Sequence, residues 1–150
     1  ATQGVELVEQ PLPRAQIADM RWLCQRSPLP LVADEAVSTA ADLPALQGAY
    51  HGVNVKLMKA GGLGAARQLC QAARAQGLDV MLGCMIETSL AITAAAHLQS
   101  FARWTDLDGC LLLKRDPFRG ARFQRAAWQV SRQPGLGLRP TGNPAAGRAR

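Results

Sequence analysis

The chain has 150 residues, 48% of them hydrophobic and 19% charged, with a formal net charge of +6. That is apolar material enough for one ordinary domain; a membrane-spanning helix is excluded because no run of about 18 apolar residues exists. A disulfide-stapled scaffold is excluded too, since the 4 cysteines are too few and too scattered.

The positive charge is unevenly placed. Residues 1–113 hold 8 Lys and Arg against 10 Asp and Glu, whereas residues 114–150 hold 9 against 1. The basicity belongs to the tail, whose arginines are scattered among Gly and Pro with few aromatics; it reads as a solvated end, and no nucleic-acid or membrane partner is expected. Cys24, Cys70, Cys84 and Cys110 form no C-x-x-C pair and read as free thiols in a reducing compartment, so a soluble cytoplasmic protein is expected. The chain begins at Ala1 and enters a strand pattern almost at once, so it is expected to be the C-terminal portion of a longer frame.

In chain order, Gly4 to Glu9 reads as a buried strand that Gln10-Pro11-Leu12-Pro13 stops. Arg14 to Arg26 places Ile17, Met20 or Arg21, and Cys24 at helical spacing, with Trp22 and Leu23 widening the apolar stripe. After the Ser27-Pro28-Leu29-Pro30 break, Leu31 to Glu35 is a short strand with acids at its C-terminal end. Ser38 or Thr39 caps a helix reaching Gln47, with Asp42 in its first turn and Pro44 keeping it short or bent.

The stretch from Gly52 to Gly62 is an apolar strand running into two lysines and a glycine turn. Alternation sends Asn54 and Lys56 to one face and Val53, Val55 and Leu57 to the other. Leu63 to Gln76 is a helix closed by Gly77, Leu78 to Gly83 the fourth strand, Glu87 to Ser100 a helix, and Leu107 to Leu113 the fifth strand. Residues 114–138, with Phe118, Phe123, Ala127 and Trp128, read as a strand or helix packing back on this domain or on a domain outside this chain, with a turn and short strand at Pro134 to Leu138. Residues 139–150 read as a disordered basic tail.

Strands alternating with helices of about 10 to 15 residues imply parallel βαβ units, hence a doubly wound sheet or part of a (β/α)8 barrel. Charged residues recur near the C-terminal ends of the strands: Glu9, Asp34 with Glu35, Lys56, and Glu87 just past the fourth, while Asp106 and Asp108 bracket the start of the fifth. That recurrence favours the barrel, in which each βα junction delivers one residue to a shared mouth. The run Ala60-Gly61-Gly62-Leu63-Gly64 lacks the G-x-G-x-x-G of a dinucleotide loop.

Two carboxylates at adjacent strand ends, Glu9 and Asp34, call for a cation between them. Oxygen-only ligands suit Mg2+, and a nearby Lys56 would then have its pKa lowered and could remove a proton alpha to a metal-bound carboxylate. A buried salt bridge from Lys56 to Asp34 without catalysis explains the same spacing. His51 and His97 read as ordinary helix or loop residues.

The motifs V-E-Q-P, V-A-D-E, N-V-K-L-M-K-A-G-G, G-C-M-I-E-T-S and T-D-L-D-G, in this order over roughly residues 1–120, resemble the enolase superfamily. The match is to its muconate-lactonizing subgroup and most to the dipeptide epimerases. The resemblance implies strands four to eight of the barrel, with residues 1–113 as its partial catalytic domain. It implies a Mg2+-dependent epimerase that takes and returns an alpha proton through an ene-diolate, acting on a small dipeptide. Glu9 and Asp34 match the second and third metal ligands, Lys56 the base, and Asp106 with Asp108 the pair that binds the substrate ammonium. The resemblance also implies that Met85 and Ile86 line the mouth and that Glu35 and Glu87 support the lysine or the metal, with Asn54 expected as a further supporting residue. Lys59, on the opposite strand parity to Lys56, reads as a surface or turn residue.

The second base, the first metal ligand, three strands and the capping domain would lie upstream. The chain alone is therefore expected to be inactive and to expose strand edges, with homo-oligomerisation possible. A cycloisomerase, an o-succinylbenzoate synthase or an N-acylamino acid racemase could share Glu9, Asp34 and Lys56, and a non-catalytic remnant with a basic tail is the alternative from another class.

Overall fold

Short apolar runs cut by proline and glycine produce five short parallel strands. In the computed structural model, which describes residues 3–125 and 127–142, these are β1 (Val8–Glu9), β2 (Leu31–Ala33), β3 (Gly52–Lys56), β4 (Asp79–Gly83) and β5 (Trp104–Thr105). They lie in one sheet in chain order, each parallel to the next. A doubly wound sheet would reverse its strand order at a switch point; here the order never reverses, and right-handed crossovers then put every helix on one face. The sheet is five consecutive strands of a (β/α)8 barrel, and among the described residues β1 and β5 are its open edges.

The helices are α1 (Ile17–Cys24), α2 (Leu43–Leu46), α3 (Leu57–Ala60), α4 (Leu63–Ala75) and α5 (Ser89–Ala96). Ala33, Val53, Val55, Val80 and Leu82 on one face of the sheet join Leu43, Leu46, Ala66, Leu69, Cys70, Ala73 and Ile92 in one buried cluster. The alternate positions, among them Asn54, Lys56 and Met81, therefore face the barrel interior. Gly77 ends the α4 segment with φ of 76°, as its place after the helical pattern predicted. Asp42 accepts hydrogen bonds from the backbone N–H of Ser38 (2.9 Å) and Thr39 (2.7 Å), and these hold its carboxyl below the ordinary carboxylate range.

Several elements depart from the sequence pattern. The strand expected over Leu107 to Leu113 is instead β5 at Trp104–Thr105, because Met81 and Leu82 of β4 pair with those two residues. Leu107 is buried at the turn, Asp108–Leu112 coils into a 3₁₀ turn, and Leu111 and Leu112 are exposed. Asp106 and Asp108 thus follow the strand rather than bracket its start. Trp22 does not widen the apolar stripe of α1; it is exposed, with the Arg26 guanidinium 4.5 Å from its ring centroid.

The single turn α3, which strand alternation did not predict, starts directly after β3. Gly61 and Gly62, both at positive φ, end it. Beyond the sheet, β6 (Phe118–Arg119) pairs with β9 (Arg139–Pro140), and β7 (Arg122–Gln124) with β8 (Ala127–Gln129), both antiparallel. The expected tail boundary at Arg139 therefore falls inside a strand; residues 143–150 lie outside the described residues. Trp128 is buried in the main core, and Asp116 accepts hydrogen bonds from the backbone N–H and hydroxyl of Ser89 on α5, so this segment is tied to the barrel. No helix among the described residues is long and apolar enough to cross a membrane, and the four cysteines are free thiols.

Candidate active site

Three consecutive strand ends deliver Glu9, Asp34 and Lys56 to one place. The Lys56 ammonium donates to Asp34 Oδ2 at 2.7 Å and lies 3.9 Å from Glu9 Oε1. Burial works against the charged amine, but the Asp34 hydrogen bond and the charges of Asp34, Glu9 and Glu35 outweigh it, so the Lys56 pKa is raised. The lowered value expected on the sequence belongs to a lysine beside a bound metal ion; with these groups alone, the lysine is held as an ammonium in the salt bridge that the spacing also allowed.

Lys59 departs from its expected place. Strand parity placed it at the surface, but α3 is a turn of helix, and a residue three positions on returns to the same side. Its ammonium donates to the Asp34 backbone carbonyl at 2.6 Å and also meets Asp34 Oδ1. Burial tends to raise the Asp34 carboxyl, yet the hydrogen bonds and charges of both lysines hold it below the ordinary carboxylate range. Two carboxylates and two ammonium groups thus neutralise one another in a pocket where Asp34 and Lys56 are each 13% exposed.

Asn54, 1% exposed, anchors the other carboxylate by donating from Nδ2 to Glu9 Oε1 at 2.6 Å. Its Oδ1 is buried with no hydrogen-bond partner among the described residues. Gly83 on β4 makes room for this carboxamide, since a Cβ there would sit 2.3 Å from Asn54 Oδ1. A corresponding constraint ties the next two loops together. A Cβ on Gly109 would lie 2.0 Å from the Met85 carbonyl oxygen, while the Gly109 N–H donates to Cys84 Sγ at 3.3 Å.

The remaining predicted residues fall around this centre with different roles. Asp106 and Asp108 stand exposed past the end of β5, and partial burial, then the charge of Asp108, pushes the Asp106 carboxyl up. Met85 and Ile86 are exposed on the loop after β4. Glu87 does not reach the lysine or Asp34; its carboxylate accepts the Met85 backbone N–H at 3.1 Å. Glu35 is exposed and acts on Lys56 through its charge alone. His51 accepts the Leu31 backbone N–H at 3.0 Å, an ordinary structural contact.

For Mg2+, the donor set fits in type. Glu9 and Asp34 are hard oxygen ligands at neighbouring strand ends, Asp34 is held ionised, and each already meets a cationic or N–H partner where positive charge is wanted. Among the described residues no group of three or more His, Cys, Asp or Glu comes together to hold a metal, so Glu9 and Asp34 would need a further ligand beside them. Sequence reasoning missed Lys59, for which the i to i+3 spacing before Gly61-Gly62 was the available signal, and Gln10, which it took only for a strand stop.

Comparison with known proteins gives the family and the fold. Residues 1–143 match the family model described as enolase C-terminal domain-like. An L-Ala-D/L-Glu epimerase of Bacteroides thetaiotaomicron is 41% identical over 136 residues, covering 91% of this chain and 36% of that protein. An N-acetyl-D-glutamate racemase of a Pseudoalteromonas species is 48% identical over 128 residues, covering 85% of this chain and 39% of that protein. The structure of a substrate-liganded L-Ala-D/L-Glu epimerase from Bacillus subtilis superposes with a TM-score of 0.81 at 38% identity, covering 90% of this chain and 39% of that one. The chain therefore spans well under half the length of these relatives.

Proposed function

Because the chain belongs to the enolase C-terminal domain-like family, we propose that it is the catalytic half-barrel of a dipeptide epimerase, working together with a segment that supplies the remaining strands. The observation that carries this reading is the convergence of Lys56, Asp34 and Glu9 from three strand ends, at 2.7 and 3.9 Å. Lys56, an ammonium in the metal-free cluster, returns a proton to one face of the substrate alpha carbon and, in its neutral form, takes one from that face. Glu9 and Asp34 hold Mg2+ with a third ligand from outside this chain; the metal, when bound, supplies the positive charge that a substrate carboxylate needs as the proton leaves.

Asn54 keeps Glu9 in place, and Asp106 with Asp108 pair with the substrate ammonium, for which two adjacent exposed carboxylates are suited. Met85 and Ile86 line the mouth beside them. Inversion needs a second base on the opposite face, which the other segment provides, so the 150-residue chain alone is expected to show no epimerisation. The free thiols suit a reducing, cytoplasmic setting, with a small dipeptide rather than nucleic acid or membrane as partner.

The test is to assay the complete polypeptide for Mg2+-dependent inversion of an L,L-dipeptide, with EDTA and Lys56→Ala as controls. Inversion that survives both controls would sink the proposal. A second reading, racemisation of an N-acylated amino acid, is favoured by the 48% identical relative named for N-acetyl-D-glutamate. Such a substrate has no free ammonium, so faster turnover of it than of any dipeptide, unaffected by Asp108→Ala, would select that reading.

A further inference from the structure

Gln10 follows Glu9 directly and has φ of 38°, a left-handed conformation that L side chains rarely adopt. A turn that needed only this backbone shape would be served better by glycine. The side chain explains why a glutamine is there. Its Oε1 accepts the backbone N–H of Asp34 at 2.9 Å and of Ala36 at 3.2 Å. Its Nε2 donates to the Leu12 carbonyl at 2.8 Å and to the hydroxyl of buried Tyr50 at 2.7 Å. All four hydrogen-bonding positions of the carboxamide are used, and its orientation is unambiguous, since Oε1 faces two N–H donors and Nε2 faces a carbonyl.

The consequence is geometric. The Gln10 backbone N–H still donates to Val32 O at 2.9 Å, so Glu9 sits in the sheet ladder up to the point where the chain turns. From that turn the side chain crosses to the next strand and grips the backbone of Asp34, 24 residues on. We propose that Gln10 is a positioning residue that sets Asp34 at a defined spacing from Glu9, with Tyr50 as its fixed anchor. The role rests on the reading of those two carboxylates as metal ligands, because partners that orient ligands commonly change metal affinity about 10- to 100-fold when removed.

The experiment compares Gln10→Gly, Gln10→Glu and Tyr50→Phe in the complete polypeptide by residue-resolved amide exchange and by the Mg2+ concentration for half-maximal activity. Gln10→Gly relieves the left-handed backbone and deletes the crossbar. It is expected to speed exchange at Asp34 and Ala36 at least about tenfold while Val53 and Val55 stay protected, and to raise the Mg2+ requirement about 10- to 100-fold. Gln10→Glu keeps both acceptor contacts and is expected to keep Asp34 and Ala36 slow, and Tyr50→Phe is expected to fall between.

Unchanged exchange at Asp34 in Gln10→Gly would overturn the proposal, as would faster exchange with an unchanged Mg2+ requirement. General loss of protection that includes Val53 and Val55 would also overturn it, since that is what a merely structural role predicts. A wild-type enzyme indifferent to Mg2+ would instead remove the metal reading, and the exchange data would still decide whether Gln10 holds Asp34.

Discussion

The two ends of the candidate site are built in opposite ways. At the ends of β1 to β3, Glu9, Asp34, Lys56, Lys59 and Asn54 hold one another through short contacts in partly buried surroundings. Past β5, Asp106 and Asp108 stand exposed, and their mutual repulsion helps to raise the Asp106 pKa. The difference separates a cluster that is already neutralised from a pair of like charges left open to solvent. A neutralised cluster contributes to stability before any ligand arrives, whereas a pair of like charges is relieved only when a cation binds.

The largest expected effect is at the shared lysine. Lys56→Ala in the complete polypeptide should lower kcat by about 10²- to 10⁴-fold, measured as dipeptide inversion by polarimetry, because a positioned acid/base group contributes that much. Asp34→Ala leaves Lys56 and Lys59 without their carboxylate; it should cost about 3 kcal/mol in denaturant unfolding, the low end for breaking a buried pair. A cost below about 0.5 kcal/mol, as at an ordinary surface site, would show that the cluster is no scaffold.

At the other end the pattern should invert. Asp108→Ala should leave stability within about 0.5 kcal/mol and raise KM for dipeptides about 10- to 100-fold, the worth of one hydrogen bond to a charged group. An unchanged KM would deny Asp108 its receptor role. The smallest effect lies away from both ends: Asp42→Ala should cost about 1 kcal/mol as the loss of a helix-start cap. Since the folded Asp42 pKa is depressed, its contribution is complete above the unfolded value of about 3.9 and fades as the pH falls through the lower folded value. A thermal scan of wild type and variant between neutral and acid pH should therefore show the two converging at the acid end.

Much of this arrangement is legible in the chain because it depends on local patterns. Val53 and Val55 alternate with Asn54 and Lys56, so the inward face of β3 can be read directly. Pro11, Pro28 and Gly77 punctuate strands and helices where a missing N–H or a positive φ demands it. Acids and a lysine at successive strand ends then indicate a shared mouth.

The parts that were not legible all depend on a partner distant in sequence. Lys59 joins the site only because α3 coils directly after β3, and a four-residue turn is too short to announce itself by periodicity. The fifth strand was misplaced because Leu107 to Leu113 is the longer apolar run, yet β4 pairs with Trp104 and Thr105, the more strand-favouring residue types, and leaves Leu111 and Leu112 exposed. Gln10 looked like punctuation because nothing local shows that its carboxamide reaches Asp34 and Tyr50.

The amino-acid sequence by itself thus determined the alternation of strands and helices, the inward-facing residues of β3 and the identity of the principal charged groups, since periodicity and backbone sterics act within a few residues. The tertiary structure decided which of those charges neutralise one another, which strand completes the sheet and which side chain braces Asp34. Hydrogen bonds and ion pairs between residues more than twenty positions apart form only once the sheet has closed the distance.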